Sequence, residues 1–363
     1  MGVNRQIKIG ILTAPHIDFE LREHTFLLKN VRIGIGFHWD RHEDQEFAGS
    51  LEIRNNPDGT QTAINTLNLE DYLCSVISSE MSANSPMELL KAHAVISRSW
   101  AIRAMEHPNH EGFHVCADDH CQRYEGLRRI NERAIQAVRE TAHQVLLYQR
   151  PTTNDQGLIC DCRYHKCCGG RTEVWRTCWE DIDVPYIQSV ECPYCGKVAE
   201  RLKSSIVNRQ IVNILNDYDQ ETKDFHDWHV TYTAEELSDI IRTKSGIDFG
   251  TITDLIPLHR GASGRIDKLR IVGTKHTEDI GKELKIRLWL SRTCLYSSWF
   301  EINRSSLQGG EGGRLAFTLI GHGWGHGAGL CQIGAAQMAE EGFSYEQILA
   351  HYYVGTRLSA TTR

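Results

Sequence analysis

Apolar and polar residues alternate in short runs over the first 60 positions: Ile7, Ile9 and Ile11, then Val31, Ile33 and Ile35, then Leu51 and Ile53, with turns at Asn30 and between Asn55 and Gly59. Period two predicts strands of a small sheet. The period then changes: Leu69, Tyr72, Leu73, Val76 and Ile77 share one helical face, Asn68 is placed to cap it, and Glu80 falls on the next position of the same stripe. Ser85-Pro86 with Glu88 reads as a capping box opening a second helix, whose face carries Leu89, His93, Ile96 and Trp100. A row of small residues, Ala94, Ser97, Ala101 and Ala104, lets another helix approach, and His107-Pro108 ends the run.

A third helix is expected near Ile130 to Ala142, then strands at Val145–Tyr148 and Leu158–Tyr164. From about Ala199 the pattern turns to polar amphipathic helices and weak strands. Thr233 with Glu236 opens a helix that Gly246 closes, and strands are expected at Ile266–Ile271, Leu284–Leu290 and Trp299–Ile302. The glycine-rich stretch from Ser305 to Gly313 reads as a linker back to the main body. The expected fold class is α+β: a helical core packed on a mixed β-sheet, with a second α/β lobe forming a cleft. The expected divisions are a β segment (1–64), the core (65–198), an inserted lobe (199–305) and a C-terminal part (306–363) completing the core.

The chain has 363 residues, enough for more than one core. Lys plus Arg total 40 against 47 Asp plus Glu, a formal charge of −7, which lacks the basic footprint of a nucleic-acid binder. No run reaches transmembrane length, and the N-terminus has charges where a secretory signal has an apolar core. On sequence alone this places the chain in a reducing compartment, where its 12 cysteines more often stay thiols or bind metal than pair as disulfides.

Four places could carry chemistry. Glu80, at the end of an apolar stripe, would be partly desolvated and able to donate a proton near neutral pH, though position alone favours a frayed helix end turned to solvent. In the loop HPNHEGFHVCADDHCQRYEG, Cys116 and Cys121 with His110, His114 or His120 have the donors of a tetrahedral zinc site, or form a thiol pair without metal. Cys160, Cys162, Cys167, Cys168, Cys178, Cys192 and Cys195 crowd the next stretch. A second metal site there competes with inert thiols, and the CPYC string lacks the setting of a redox motif. In IGHGWGHGAGLCQIGAAQMAEEG, five glycines between Gly321 and Gly329 would clear side chains from the path of a bulky ligand. His322 and His326 would then hydrogen-bond a polymer rather than bind metal, and Gln332 falls in the first turn of a helix beginning around Leu330.

The strings LEDYLCSVISSEM, AHAVISRSWA, HVCADDHCQRYEG, CCGGRTE and GHGWGHGAGLCQIGAAQMA together resemble, in order, the hallmark blocks of the SpoIID/LytB family, the stage II sporulation protein D and amidase-enhancer group. The resemblance implies a lytic transglycosylase acting on peptidoglycan glycan strands or muropeptide fragments, with Glu80 as its catalytic acid and base. It carries Arg98, Gln122, Tyr124, His322, His326 and Gln332 over to substrate binding or to orienting Glu80. It also implies a structural zinc on His110, Cys116 and Cys121. Cys160, Cys162, Cys178, Cys192 and Cys195 exceed the family pattern and suggest a second metal. Because peptidoglycan lies outside the cytoplasm, the resemblance also implies either a leader missing from this chain or an internalised wall fragment as substrate. Two rivals stand beside it: a non-catalytic glycan-binding enhancer of a cell-wall amidase, and a zinc hydrolase using Cys116, Cys121 and a histidine.

Overall fold

The computed structural model describes residues 5–37, 40–82, 84–118, 120–149, 157–203, 226–307 and 314–361. The fold is α+β. Strands β1 (Gln6–Ala14), β2 (Phe19–Leu21), β3 (Thr25–Ile33), β4 (Arg41–Ala48), β5 (Ser50–Asn55) and β6 (Gln61–Asn68) follow the alternating pattern but divide between two sheets. One has the order β5-β6-β1 and gains β7 (Val115–Cys116) parallel to β1; the other is β2-β3-β4. Ile7 and Ile9 are fully buried, whereas Ile35, past the end of β3, is exposed.

Strand β6 runs straight into α1 (Leu69–Glu80), and Asn68 Oδ1 accepts the Glu70 N–H at the junction as the cap position requires. Helix α2 (Met87–Glu106) starts one residue later than expected, with Pro86 itself at the cap position. The capping box therefore does not form. Glu88 instead accepts from Lys91 Nζ and from the Tyr345 N–H at 2.8 Å, tying the start of α2 to the C-terminal region.

Helix α2 lies between two cores. Leu90, Ala94 and Ala101 pack with Ile7, Ile9, Tyr72 and Val76, while Leu89, Ala92, Val95 and Ile96 pack with the buried cysteines and Ile333. Each fully buried Leu or Ile contributes roughly 1.5–3 kcal/mol, so this helix is a stiff platform. Helix α3 (Glu132–Glu140) follows, capped by Asn131.

Strands β8 (Gln144–Tyr148), β9 (Leu158–Ile159) and β10 (Tyr164–His165) precede α4 (Trp175–Cys178) and α5 (Pro193–Lys203). The second lobe comprises β11 (Asp227–Thr233), α6 (Ala234–Ser245), β12 (Ile252–Arg260), β13 (Ile266–Gly273), β14 (Thr277–Ile280), α7 (Glu283–Trp289), β15 (Phe300–Leu307) and β16 (Arg314–His322). Its core holds Leu237, Ile271, Phe300 and Phe317. Helix α6 has the expected capping box at Thr233 and Glu236, and Gly246 closes it at φ 75°. The chain ends with β17 (Leu330–Cys331), α8 (Gln332–Glu340), α9 (Tyr345–Tyr352) and β18 (Thr356–Ala360), which pairs with β8.

Two expectations fail in the second lobe. The segment Leu284–Leu290 alternates like a strand yet is helical, because Glu283, Ile286, Arg287 and Leu290 are its buried residues, at spacings of three and four. The Ser305–Gly313 stretch does not link two bodies: β15 and β16 on either side pair antiparallel from Phe300↔Gly321 to Leu307↔Arg314, and residues 308–313 themselves lie outside the described residues. Buried Glu173 fastens this lobe to the main body, accepting from the Ala262 and Ser263 N–H groups at 3.0 Å and from Ser263 Oγ at 2.7 Å.

Candidate functional site

Glu80 is the last residue of α1, whose apolar face is locked in the N-terminal core, so its carboxylate projects from a fixed backbone. Its Oε1 accepts two hydrogen bonds: from the Arg123 backbone N–H at 2.8 Å and from Tyr164 Oη at 2.9 Å. Burial and the adjacent Glu80 carboxylate hold the Tyr164 phenol well above its ordinary value, so it stays protonated and remains a donor.

Tyr164 is itself positioned by a relay. Its ring meets His93 edge to face at 4.5 Å between centroids. His93 is fully buried, and burial pushes its pKa down to about 3, so the ring is neutral. With Gln332 Nε2 donating to His93 Nε2 at 3.0 Å, the ring proton lies on Nδ1 and points to Ser97 Oγ at 3.1 Å. Tyr164 also sits in β10, which runs parallel to β17 with Tyr164 opposite Leu330 and His165 opposite Cys331. The glycine-rich segment thus supports the partner of Glu80.

The glycines also meet a demand of the fold itself. Gly323, Gly325, Gly327 and Gly329 all have positive φ, between 72° and 98°. A Cβ on Gly329 would strike the Arg163 carbonyl oxygen, and one on Gly323 would lie 2.8 Å from the Cys167 carbonyl oxygen. They therefore serve left-handed turns, with Gly323, Gly325 and Gly329 packed closely against residues 163–168 and Gly327 against the Arg265 guanidinium.

Among the described residues, two groups of donors could hold metal ions. His110, Cys116, His120 and Cys121 have ligand atoms all within 4.8 Å of one another, and so do Cys168, Cys192, Cys195 and Cys331. In the first, His110 Nε2 is 3.2 Å from Cys121 Sγ, and hydrogen bonds from Cys121 and then His120 pull the Cys116 thiol well below its usual range. Two thiolates and two imidazoles so arranged fit a tetrahedral divalent cation. His120 completes this set, while His114 lies outside it and accepts the Lys8 N–H at Nδ1. The second set draws on the expected cysteine-dense stretch but recruits Cys331 from beyond it.

Residues 57–148 match the Stage II sporulation protein family. Those residues form a SpoIID family domain. Residues 173–329 match a second family, a domain of unknown function. Over 311 residues the chain is 29% identical to an uncharacterized protein of Brachyspira hyodysenteriae, covering 85% of this chain and 71% of that one. It is 27% identical over 316 residues to the stage II sporulation protein D of Bacillus subtilis, covering 82% and 76%. The amidase enhancer of the same organism is 26% identical over 314 residues, covering 79% of this chain and 40% of its own length.

Within the SpoIID domain and its surroundings the residues singled out from sequence take different places. Gln122, next to the residue whose N–H meets Glu80, is buried and accepts from Tyr72 Oη at 3.1 Å. Gln332 joins the same group through His93. Arg98 does not: its guanidinium makes a bidentate pair with Glu70 at 2.9 and 2.7 Å and reaches the carbonyls of Ala94, Val138 and Gln144. Glu70 stands at the opposite end of α1 from Glu80, about 15 Å along the axis. Tyr124 is a core residue whose phenol bonds Asn65 Oδ1 at 2.8 Å.

His322 Nδ1 lies 2.9 Å from Asp227 Oδ1 in the second lobe. His326 is held between His165 and Trp179, and burial, then neighbouring positive groups, pushes its pKa well down. Tyr164, Arg123, His93 and Cys331 were not among the sequence candidates for these sites, whereas His120 was one of the three loop histidines offered for the zinc site. The one available signal was His93, a polar residue inside an otherwise apolar helix face.

Proposed function

We propose that the chain acts on the cell wall as a peptidoglycan lytic transglycosylase with Glu80 as its single acid and base. The observation carrying this reading is the convergence of four separated motif blocks on one carboxylate. The first contains Glu80, the third supplies the Arg123 N–H, and the second and fifth hold Tyr164 through His93 and Gln332.

In this reading Glu80 protonates the glycosidic oxygen between N-acetylmuramic acid and N-acetylglucosamine as the sugar becomes oxocarbenium-like. It then accepts the proton of the muramic C6 hydroxyl as that oxygen closes on C1, giving a 1,6-anhydro end. A hydrolase needs a second carboxylate to act as nucleophile or to activate water. Here the nucleophile belongs to the substrate, and orientation takes its place. The Arg123 N–H and Tyr164 O–H hold the carboxylate in one rotamer and stabilise its charge after it gives up the proton. His322 with Asp227 is assigned to binding the strand, and buried Gln122 to orienting the groups around Glu80. Arg98 is assigned to fastening α1 on α2. His110, Cys116, His120 and Cys121 would hold a zinc ion that braces the loop delivering Arg123; the metal supplies cross-linking there and no reaction step.

Digestion of purified peptidoglycan, with and without stem peptides, by the wild type and Glu80→Gln tests this. Anhydromuramic ends from the wild type alone are expected. Reducing ends would make the chain a hydrolase. Glycan binding without products from either protein, with unchanged stimulation of an amidase, would replace the reading with the enhancer role suggested by the Bacillus subtilis relative's name.

A further inference from the structure

Four cysteines gather around the start of α8 within the core that α2 covers. Cys168, Cys192, Cys195 and Cys331 are all buried and unpaired, with sulfurs mutually within 4.8 Å. Cys168 Sγ and Cys195 Sγ are 3.5 Å apart, far beyond the roughly 2.05 Å of a disulfide. A tetrahedron of sulfurs about 2.3 Å from a central zinc has edges of about 3.8 Å. The quartet has that scale.

The local backbone is also arranged for metal-bound thiolate. Cys192-Pro-Tyr-Cys195 has the two-residue spacing of a zinc knuckle and opens α5. The Cys168 N–H lies 3.2 Å from Cys331 Sγ, the Gly334 N–H 3.3 Å from the same sulfur, and the Gly170 N–H 3.4 Å from Cys168 Sγ. Gly169 and Gly170, both at positive φ, make the last of these turns possible. Sulfur is a weak acceptor as a thiol and a better one as a thiolate, so three N–H groups aimed at two sulfurs favour the anionic form. Outside the quartet, His226 Nε2 lies beside Gly196, the residue after Cys195, and its Nδ1 is 3.1 Å from Asp227 Oδ1.

We propose that Cys168, Cys192, Cys195 and Cys331 bind a divalent cation of the zinc class as a tetrathiolate site, each thiol releasing its proton to solvent. The ligands come from three segments that the backbone joins only loosely: the turn after β10, the start of α5, and β17. Cys331 lies opposite His165 in the β10–β17 pair and directly precedes Gln332. The ion therefore clamps the strand that presents Tyr164 and the helix start that holds His93. That consequence rests on the Glu80 reading; metal binding itself does not.

The decisive protein is the full chain carrying Cys116→Ser and Cys121→Ser, purified with zinc and without chelator, then analysed by native mass spectrometry and elemental analysis. One tightly held zinc per chain is expected. Its cobalt-substituted form should show the sulfur-to-metal charge-transfer intensity of four thiolates. No metal in that folded variant, or disulfides among the four cysteines in the mass of the denatured chain, would overturn the proposal. Should the variant not fold, the wild type decides by itself: two metals are expected, and a single metal with the cobalt spectrum of two thiolates and two imidazoles overturns it. Glu80→Gln should retain the tetrathiolate ion whether or not the wild type releases anhydro ends, so failure of the enzymatic reading and failure of the metal site are separately visible.

Discussion

Replacing Tyr164 by Phe removes one oxygen and keeps the ring that meets His93 at 4.5 Å. The lost interaction is a 2.9 Å hydrogen bond to Glu80 Oε1, while the Arg123 N–H at 2.8 Å remains. A hydrogen bond to a charged group is worth about 1.5–3 kcal/mol. If it acts when Glu80 has given up its proton, that energy appears in the barrier as roughly a 10- to 150-fold fall in kcat. KM should change little, because the phenol addresses the carboxylate and not the strand. The assay counts 1,6-anhydro ends released from glycan strands by mass spectrometry, with urea unfolding of both proteins to confirm a folded variant. A folded Tyr164→Phe protein within twofold of wild-type kcat would refute the argument that this hydrogen bond orients the catalytic carboxylate. A change confined to KM would instead place Tyr164 on the substrate.

Two further outcomes are expected. His93 has its pKa lowered by burial to about 3, against about 6.5 in the unfolded chain, so between these values the unfolded chain binds the extra proton. Its contribution to stability is complete above pH 6.5 and falls as pH drops toward 3, by about 2 kcal/mol at pH 5. Urea unfolding at pH 7 and pH 5 should therefore show a shallower pH dependence for His93→Asn than for wild type, and equal slopes would count against a neutral buried imidazole. Gly329→Ala combines φ 72° with a collision at the Arg163 carbonyl oxygen, whereas Gly342, at φ 91°, has nothing within 4 Å of an added Cβ. Gly329→Ala should cost at least about 2 kcal/mol and lower activity by shifting β10, while Gly342→Ala shows the backbone term alone, about 1 kcal/mol. Equal losses in the two variants would mean that close packing at Gly329 is not what requires glycine.

Local signals were legible where they were local in cause. Asn68, the α1 stripe, and the Thr233, Glu236 and Gly246 punctuation of α6 each act within one or two helical turns, so sequence spacing contains their geometry. Ser85 failed because a proline at the cap position shifted the helix start by one residue. The segment after Glu283 failed because alternation and helical spacing agree at some positions, and only packing showed which were buried. Arg98 matched a motif, yet its five hydrogen bonds all serve Glu70 and backbone carbonyls.

The sequence by itself determined the elements of the main helices, the pairing of Glu80 with an apolar stripe, and the donor chemistry of the Cys116–Cys121 loop. Tertiary structure alone decided what meets what. Tyr164 reaches Glu80 from 84 positions away, Gln332 reaches His93 from 239, and Cys331 joins Cys168 from 163. These contacts depend on how β10 and β17 pair and how α2 is shared between two cores. Periodicity reports which face of an element is buried, but not which distant face covers it.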